Sequence, residues 1–348
     1  MWYSAFLKRI LARAGLLGLV VGLLLGASAA ARATTLDEVR IKGFVRCGVN
    51  QGLPGFSSSD SLGNWAGMDV DICRAVAAAI FSDPDKVAYT PLSAKERFTA
   101  LQSGEIDILS RNTTWTMLRD TALGLSFAGV TYYDGQGFMV PRSLDVTSAL
   151  ELSGTRVCVQ QATTSELNVT DFFSARKMPF TIVPQDKALS ALIAYEEGQC
   201  NVLTADISQL YSLRLRLKKP EDHVVLPEVI SKEPLGPVVR QGDDQWISIV
   251  KWTVFAMINA EELGVSSRNV DDMLGSGNPA VRRLLGLDGD FGEKIGLKND
   301  WAYQVIKKVG NYAEIFERNV GKASELKIER GLNALWKDGG ILYAPPIR

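Results

Sequence analysis

Leu101-Gln-Ser-Gly104-Glu-Ile-Asp107-Ile-Leu-Ser110 and Tyr195-Glu-Glu-Gly198-Gln-Cys-Asn201-Val-Leu-Thr204 are two versions of one local plan. Each reads as a helix end, a glycine and a short apolar strand, with Asp or Asn three residues after the glycine and a hydroxyl six after it. The glycines stand where a left-handed C-terminal helix cap is expected. Upstream of each copy lies another short strand, Gly43-Phe-Val-Arg-Cys47 and Gly154-Thr-Arg-Val-Cys158. Between them, Ile72, Val76, Ala79 and Ile80 recur at one-face helical spacing, and Ser93-x-x-Glu96 is a capping box for the helix carrying Phe98 and Leu101. Strands alternating with helices predict an α/β fold with largely parallel sheets. Two such units predict two lobes, with a ligand in the crevice beyond the C-terminal strand ends.

Beyond Pro234-Leu-Gly-Pro237 the pattern turns helical. Trp246, Ile249, Val250, Thr253 and Met257 form one stripe ending near Gly264, and Trp301, Val305, Val309, Tyr312 and Phe316 form another. Both stripes read as core, and the first lobe is the natural place for them to pack.

The N-terminus carries an export signal. Lys8, Arg9 and Arg13 precede an apolar run from Gly15 to Ala27 and the small-residue end Ala31-Arg32-Ala33. The pattern predicts a signal peptide over 1–33 and a mature chain of 348 − 33 = 315 residues. The apolar run is shorter than the ~20 residues that span a bilayer. Export follows, to a compartment where disulfides persist. The four cysteines allow three pairings. Cys47 with Cys73 and Cys158 with Cys200 keeps each bridge inside one lobe.

Composition narrows the partners. With 38 Lys+Arg against 39 Asp+Glu, the chain has no excess of positive charge for counterion release from nucleic acid. A single histidine, His223, leaves little material for a His-rich metal site or a Ser-His-Asp triad. No cofactor, metal or catalytic residue is expected, and a monomer is.

The chain resembles the family 3 solute-binding proteins of polar amino-acid ABC transporters, most nearly the general L-amino-acid-binding subgroup of Gram-negative bacteria. The stretches that carry the resemblance are Gly67-Met-Asp-Val-Asp-Ile-Cys-Arg-Ala-Val-Ala77, Arg97 through Leu109, Thr113-Thr-Trp-Thr-Met-Leu-Arg119, Gln160-Gln-Ala-Thr-Thr-Ser165 and Thr204-Ala-Asp206. None is unique alone; their order and spacing are specific. The resemblance implies a type II periplasmic-binding-protein fold with two hinge crossings, near Met139 to Arg142 and near Pro234 to Val239. Lobe 1 would then be discontinuous, 34–142 plus 236–348 with the extra C-terminal helices, and lobe 2 would be 143–235.

The same resemblance implies a site. Arg119 matches the arginine that grips the ligand α-carboxylate, a task suited to a planar guanidinium fork. Asp206 matches the aspartate that receives the α-ammonium from the other lobe. Asn112 and Thr114 in lobe 1, and Thr163 and Thr164 at a lobe 2 helix start, are candidate supporting donors. Around Asn50-Gln-Gly-Leu-Pro-Gly-Phe56, members selective for basic amino acids place an acid and an aromatic ring where Asn50 and Leu53 stand here. With Trp115 as an apolar wall, the departure implies a broad range of L-amino acids. The implied partners are a free L-amino acid and an inner-membrane ABC permease, and the implied location is the Gram-negative periplasm. Two other readings use the same fold, an enzyme of the cyclohexadienyl dehydratase type and a chemoreceptor-feeding binding protein. The dehydratase needs a general acid and base around its ring substrate, and the implied site offers an amino-acid clamp instead.

Overall fold

A computed structural model of the chain describes residues 33–348; the signal peptide expected at 1–33 lies, but for Ala33, outside the described residues. Two five-stranded sheets organise the rest. The first runs in the order Val87–Leu92, Val45–Asn50, Ile108–Leu109, Val238–Arg240, Leu125–Phe127. Its first three strands are parallel, and Val238–Arg240 is antiparallel to both of its neighbours. The second runs Phe180–Gln185, Thr155–Gln160, Val202–Asp206, Gln136–Pro141, His223–Val225, again three parallel strands followed by antiparallel ones. The repeat read from the sequence is therefore a repeat of topology.

Local chemistry supports each unit. Ser93 and Glu96 exchange hydrogen bonds, Glu96 N donating to Ser93 Oγ at 3.3 Å and Ser93 N to Glu96 Oε2 at 3.1 Å, just before the helix Arg97–Gln102. Gly104 and Gly198 hold φ of +78° and +74°, the left-handed conformation that lets the next strand leave at a sharp angle. Both disulfides form as expected, with Cα separations of 6.3 Å for Cys47–Cys73 and 5.7 Å for Cys158–Cys200. Each joins a sheet strand to the unit's own later segment.

The largest apolar core surrounds the first sheet and takes in the C-terminal helices, from Trp246 through Phe316 to Leu342. Smaller clusters flank the second sheet. The stripe expected to run from Trp301 to Phe316 is two helices, Trp301–Lys308 and Tyr312–Asn319. Gly310, at φ +105°, breaks it, and Asn311 opens the second helix with a capping box to Glu314. The chain end is docked: Asn259 Nδ2 donates to the Pro345 carbonyl at 2.9 Å and Arg283 Nε to that of Ile347 at 3.0 Å. Among the described residues no helix is long and apolar enough to cross a membrane.

The first crossing departs from expectation. Met139 to Pro141 lie inside a strand of the second sheet, where Met139 faces Leu203 and Val225. The chain passes between sheets at Tyr132–Asp134, which pairs antiparallel with the returning Glu233–Leu235. An apolar run such as Gln136–Pro141 is buried by a sheet and is not free to serve as a hinge.

Candidate functional site

The C-terminal ends of the parallel strands in the two sheets face each other across a narrow cleft. Lobe 1 contributes Arg97, Arg111, Asn112 and Thr114. Lobe 2 contributes Gln160 and Thr163–Ser165 after one strand, Asp206 and Gln209 after another, and the apolar Ala188, Ala191, Leu203 and Leu213. Polar contacts span the gap. Asn112 Nδ2 donates to Gln209 Oε1 at 3.3 Å, Thr114 and Thr164 hydroxyls lie 3.4 Å apart, and exposed Lys95 meets Asp186 at 2.5 Å. The lobes are closed on the cleft.

Burial makes the electrostatics severe. Arg97 is 2% exposed, and its Nε has no hydrogen-bond partner among the described residues. Burial, then the neighbouring cations Arg111 and Arg119, push its pKa well down. Arg111 donates Nε–H to the Leu92 carbonyl at 2.9 Å, and burial brings it down to about 10. Arginine keeps its proton in proteins, so three clustered buried guanidiniums amount to a standing demand for an anion. Opposite them, burial followed by repulsion from Asp134 and Glu233 raises Asp206 well above the carboxylate range. That carboxylate would be relieved by a cation. A cleft lined by Arg97 and Arg111 on one wall and by Asp206 on the other is complementary to a zwitterion.

The expected site residues divide. Asn112, Thr114, Thr163, Thr164 and Asp206 line the cleft. Arg119 is buried immediately behind it, donating Nη1–H to the Thr114 carbonyl at 2.8 Å, with its guanidinium over Phe98 and electrostatic support from Glu233 and Asp206. Asn50 stands one step further back and donates Nδ2–H to Asn112 Oδ1 at 3.0 Å. Leu53 and Phe56, expected at the ligand, lie instead in the core: each is 1% exposed, with Phe56 edge-on to Tyr132 at 5.3 Å. Their loop folds back on itself through Leu53 N and Ser57 O, which turns both side chains inward. Trp115 is stacked on Phe127 at 5.3 Å and is not among the lining residues.

Sequence reasoning missed Arg97, Arg111, Gln160 as a side chain, Gln209 and the hinge residue Glu233. Arg111 had a usable signal, since it directly follows a parallel strand on the same segment as Asn112. Arg97 had none beyond its place in the resemblance, because helix arginines are usually solvated.

Comparison with known proteins places the chain in context. Residues 45–268 match the model of the bacterial extracellular solute-binding proteins, family 3. The chain is 62% identical over 328 residues to the general L-amino acid-binding periplasmic protein AapJ of Rhizobium johnstonii, covering 94% of this chain and 96% of that one. It is 51% identical over 320 residues to the glutamate/glutamine/aspartate/asparagine-binding protein BztA of Rhodobacter capsulatus, covering 92% and 95%. A solved periplasmic binding protein of an ABC transporter from Brucella ovis, with glutathione bound, is 56% identical with a TM-score of 0.90, over 91% of this chain and all of that one.

Proposed function

We propose, from the premise that the chain belongs to the bacterial extracellular solute-binding proteins of family 3, that it captures free L-amino acids in the periplasm and delivers them to an ABC permease. Its high-identity relatives are binding proteins of such transporters and not enzymes. The observation that carries the reading is the opposition of Asp206 to the buried arginines across one closed cleft. Neither lobe alone offers both charges, so a zwitterion gains most from the closed state, which is the differential affinity a conformational switch requires. Arg119 supports the α-carboxylate end, Asp206 receives the α-ammonium, and Asn112, Thr114, Thr163 and Thr164 surround them. Asn50 acts through Asn112. Arg97 and Arg111 favour ligands with a further anionic or amide group, while the apolar Ala188, Ala191 and Leu213 leave room for aliphatic side chains.

The division into lobes belongs to the same reading: a signal peptide over 1–33 is removed, lobe 1 comprises the chain up to the Tyr132–Asp134 crossing together with 236–348, and lobe 2 lies between the crossings. Titration calorimetry with a panel of free L-amino acids, glutathione, sugars and oligopeptides tests the function. Acidic, polar and aliphatic L-amino acids should bind. Binding of sugars or oligopeptides with no amino acid bound would overturn it.

A further inference from the structure

Glu233 is the one carboxylate on the returning crossing strand, is 1% exposed, and is surrounded by side-chain donors. Its Oε2 accepts from Thr114 Oγ1 at 2.6 Å and from Thr164 Oγ1 at 2.9 Å. Its Oε1 accepts from Ser231 Oγ at 2.6 Å and from Asn168 Nδ2 at 2.7 Å. Thr114 comes from lobe 1, Thr164 and Asn168 from the lobe 2 helix Thr164–Ala175, and Glu233 from the hinge between them. The strand is also fixed to the lobe 1 site segment, with Trp115 N donating to the Pro234 carbonyl at 2.8 Å and Gly236 N to that of Thr113 at 3.0 Å.

A hydroxyl has one proton and two lone pairs, and an ionised carboxylate can only accept. Both hydroxyls lie closer to Glu233 Oε2, at 2.6 and 2.9 Å, than to each other, at 3.4 Å, so their protons are directed at Glu233 and these two residues, which line the cleft beside Asp206, turn lone pairs toward a ligand. We propose that Glu233 is a positioning residue for ligand selection: by holding both hydroxyl protons it converts Thr114 and Thr164 into a pair of pure acceptors, one from each lobe, that select an ammonium over a neutral group. The effect rests on the amino-acid reading and gives these threonines the opposite role from carboxylate donors. It needs no contact between Glu233 and ligand. It also makes the selection depend on closure, because only in the closed arrangement do both lobes reach the same carboxylate oxygen.

The test compares each amino acid with the analogue that carries a hydroxyl in place of the ammonium. Calorimetric affinities for L-glutamate against (S)-2-hydroxyglutarate, and for L-alanine against L-lactate, are measured on the mature wild type and on Glu233→Gln. An amide at this position can donate to the threonine oxygens, freeing a threonine proton for the cleft. The ratio of hydroxy-acid to amino-acid dissociation constants should fall about 10-fold or more, the scale of one charge-assisted hydrogen bond. A purely structural role would weaken both ligands alike and leave that ratio unchanged, which would overturn the proposal. If Glu233→Gln does not melt cooperatively, Thr164→Val replaces it: removing one acceptor should lower the same ratio several-fold, and an unchanged ratio overturns the proposal equally. Wild-type protein that binds no amino acid of the panel would overturn the amino-acid reading first and this assignment with it, whereas amino-acid binding with an invariant ratio sinks the Glu233 assignment alone.

Discussion

Arg97 shows how a single residue can be legible in position and illegible in role. Its place after Ser93-x-x-Glu96 predicts a helix start, and the helix is there. What the sequence could not show is that the guanidinium is buried against Arg111 and Arg119, its Nε without a hydrogen-bond partner among the described residues. Burial of a charge is set by what folds over it, here the second lobe. The arrangement makes a two-sided prediction for Arg97→Met, which keeps most of the volume and removes the charge. To the extent that the closed arrangement forms without ligand, ligand-free protein should become more stable, because a buried cation repelled by Arg111 and Arg119 is costly and an apolar replacement is tolerated. Affinity for L-glutamate should fall by about 10- to 100-fold, from the loss of one or more charge-assisted bonds worth about 1.5 to 3 kcal/mol each, while affinity for L-alanine changes little. Thermal melts without ligand and calorimetry with both amino acids check it; a loss of stability together with equal losses for both ligands would contradict it. Leu53 and Phe56 illustrate the converse, since an apolar residue in a glycine-rich loop fits a pocket wall and a core equally well until its packing is known.

At the scale of elements, the local signals carried far. The capping box, the two left-handed glycines and the periodic helices are all decided within a few residues of chain, and all are present. The errors fell where the decision is not local. Gln136–Pro141 and Tyr132–Asp134 are both short and apolar-rich, and only their pairing partners distinguish a sheet strand from a crossing strand. The disulfides had a lobe-level signal, and they differ in setting. Cys47–Cys73 closes 26 residues within the large core, while Cys158–Cys200 closes 42 in the lobe whose clusters are smaller. Chain entropy assigns them about 3.5 and about 4 kcal/mol respectively. With less apolar burial to fall back on, the second lobe should depend more on its bridge. Replacing Cys158 and Cys200 together by Ala should produce an unfolding step at lower urea that is absent from the Cys47/Cys73 double variant, monitored by far-UV circular dichroism. A single transition shifted equally in both variants would argue that the lobes unfold as one unit.

The whole molecule adds a relation that neither lobe contains. The C-terminal segment beyond the family-matched region returns to the hinge: the side-chain amide of Asn333 accepts from Tyr133 N at 2.7 Å and donates to the Tyr133 carbonyl at 3.0 Å. It pairs with the crossing strand as a neighbouring strand would, on a residue whose other neighbour is Pro234, which has no N–H to give. Tyr312 adds its hydroxyl to the Thr131 carbonyl at 2.8 Å, and Arg330 is fixed over Tyr312 and Phe316 while it pairs with Glu261 at 2.9 Å. The bend that opens and closes the cleft must work at or beside this braced residue. Asn333→Ala removes two hydrogen bonds made by a buried side chain, about 1 to 3 kcal/mol in all, so the melting temperature should drop by a few degrees. The functional consequence is more specific. A freed crossing strand lowers the resistance to opening, so stopped-flow measurements should show faster ligand release with a smaller change in association, because affinity differences between variants of one site reside mostly in dissociation. Arg283→Gln, which loosens the C-terminal segment at the Ile347 carbonyl and leaves the Asn333–Tyr133 pair in place, should lower stability and leave the release rate near that of the wild type. If both variants accelerate release alike, the extension acts through general stability and not through the hinge.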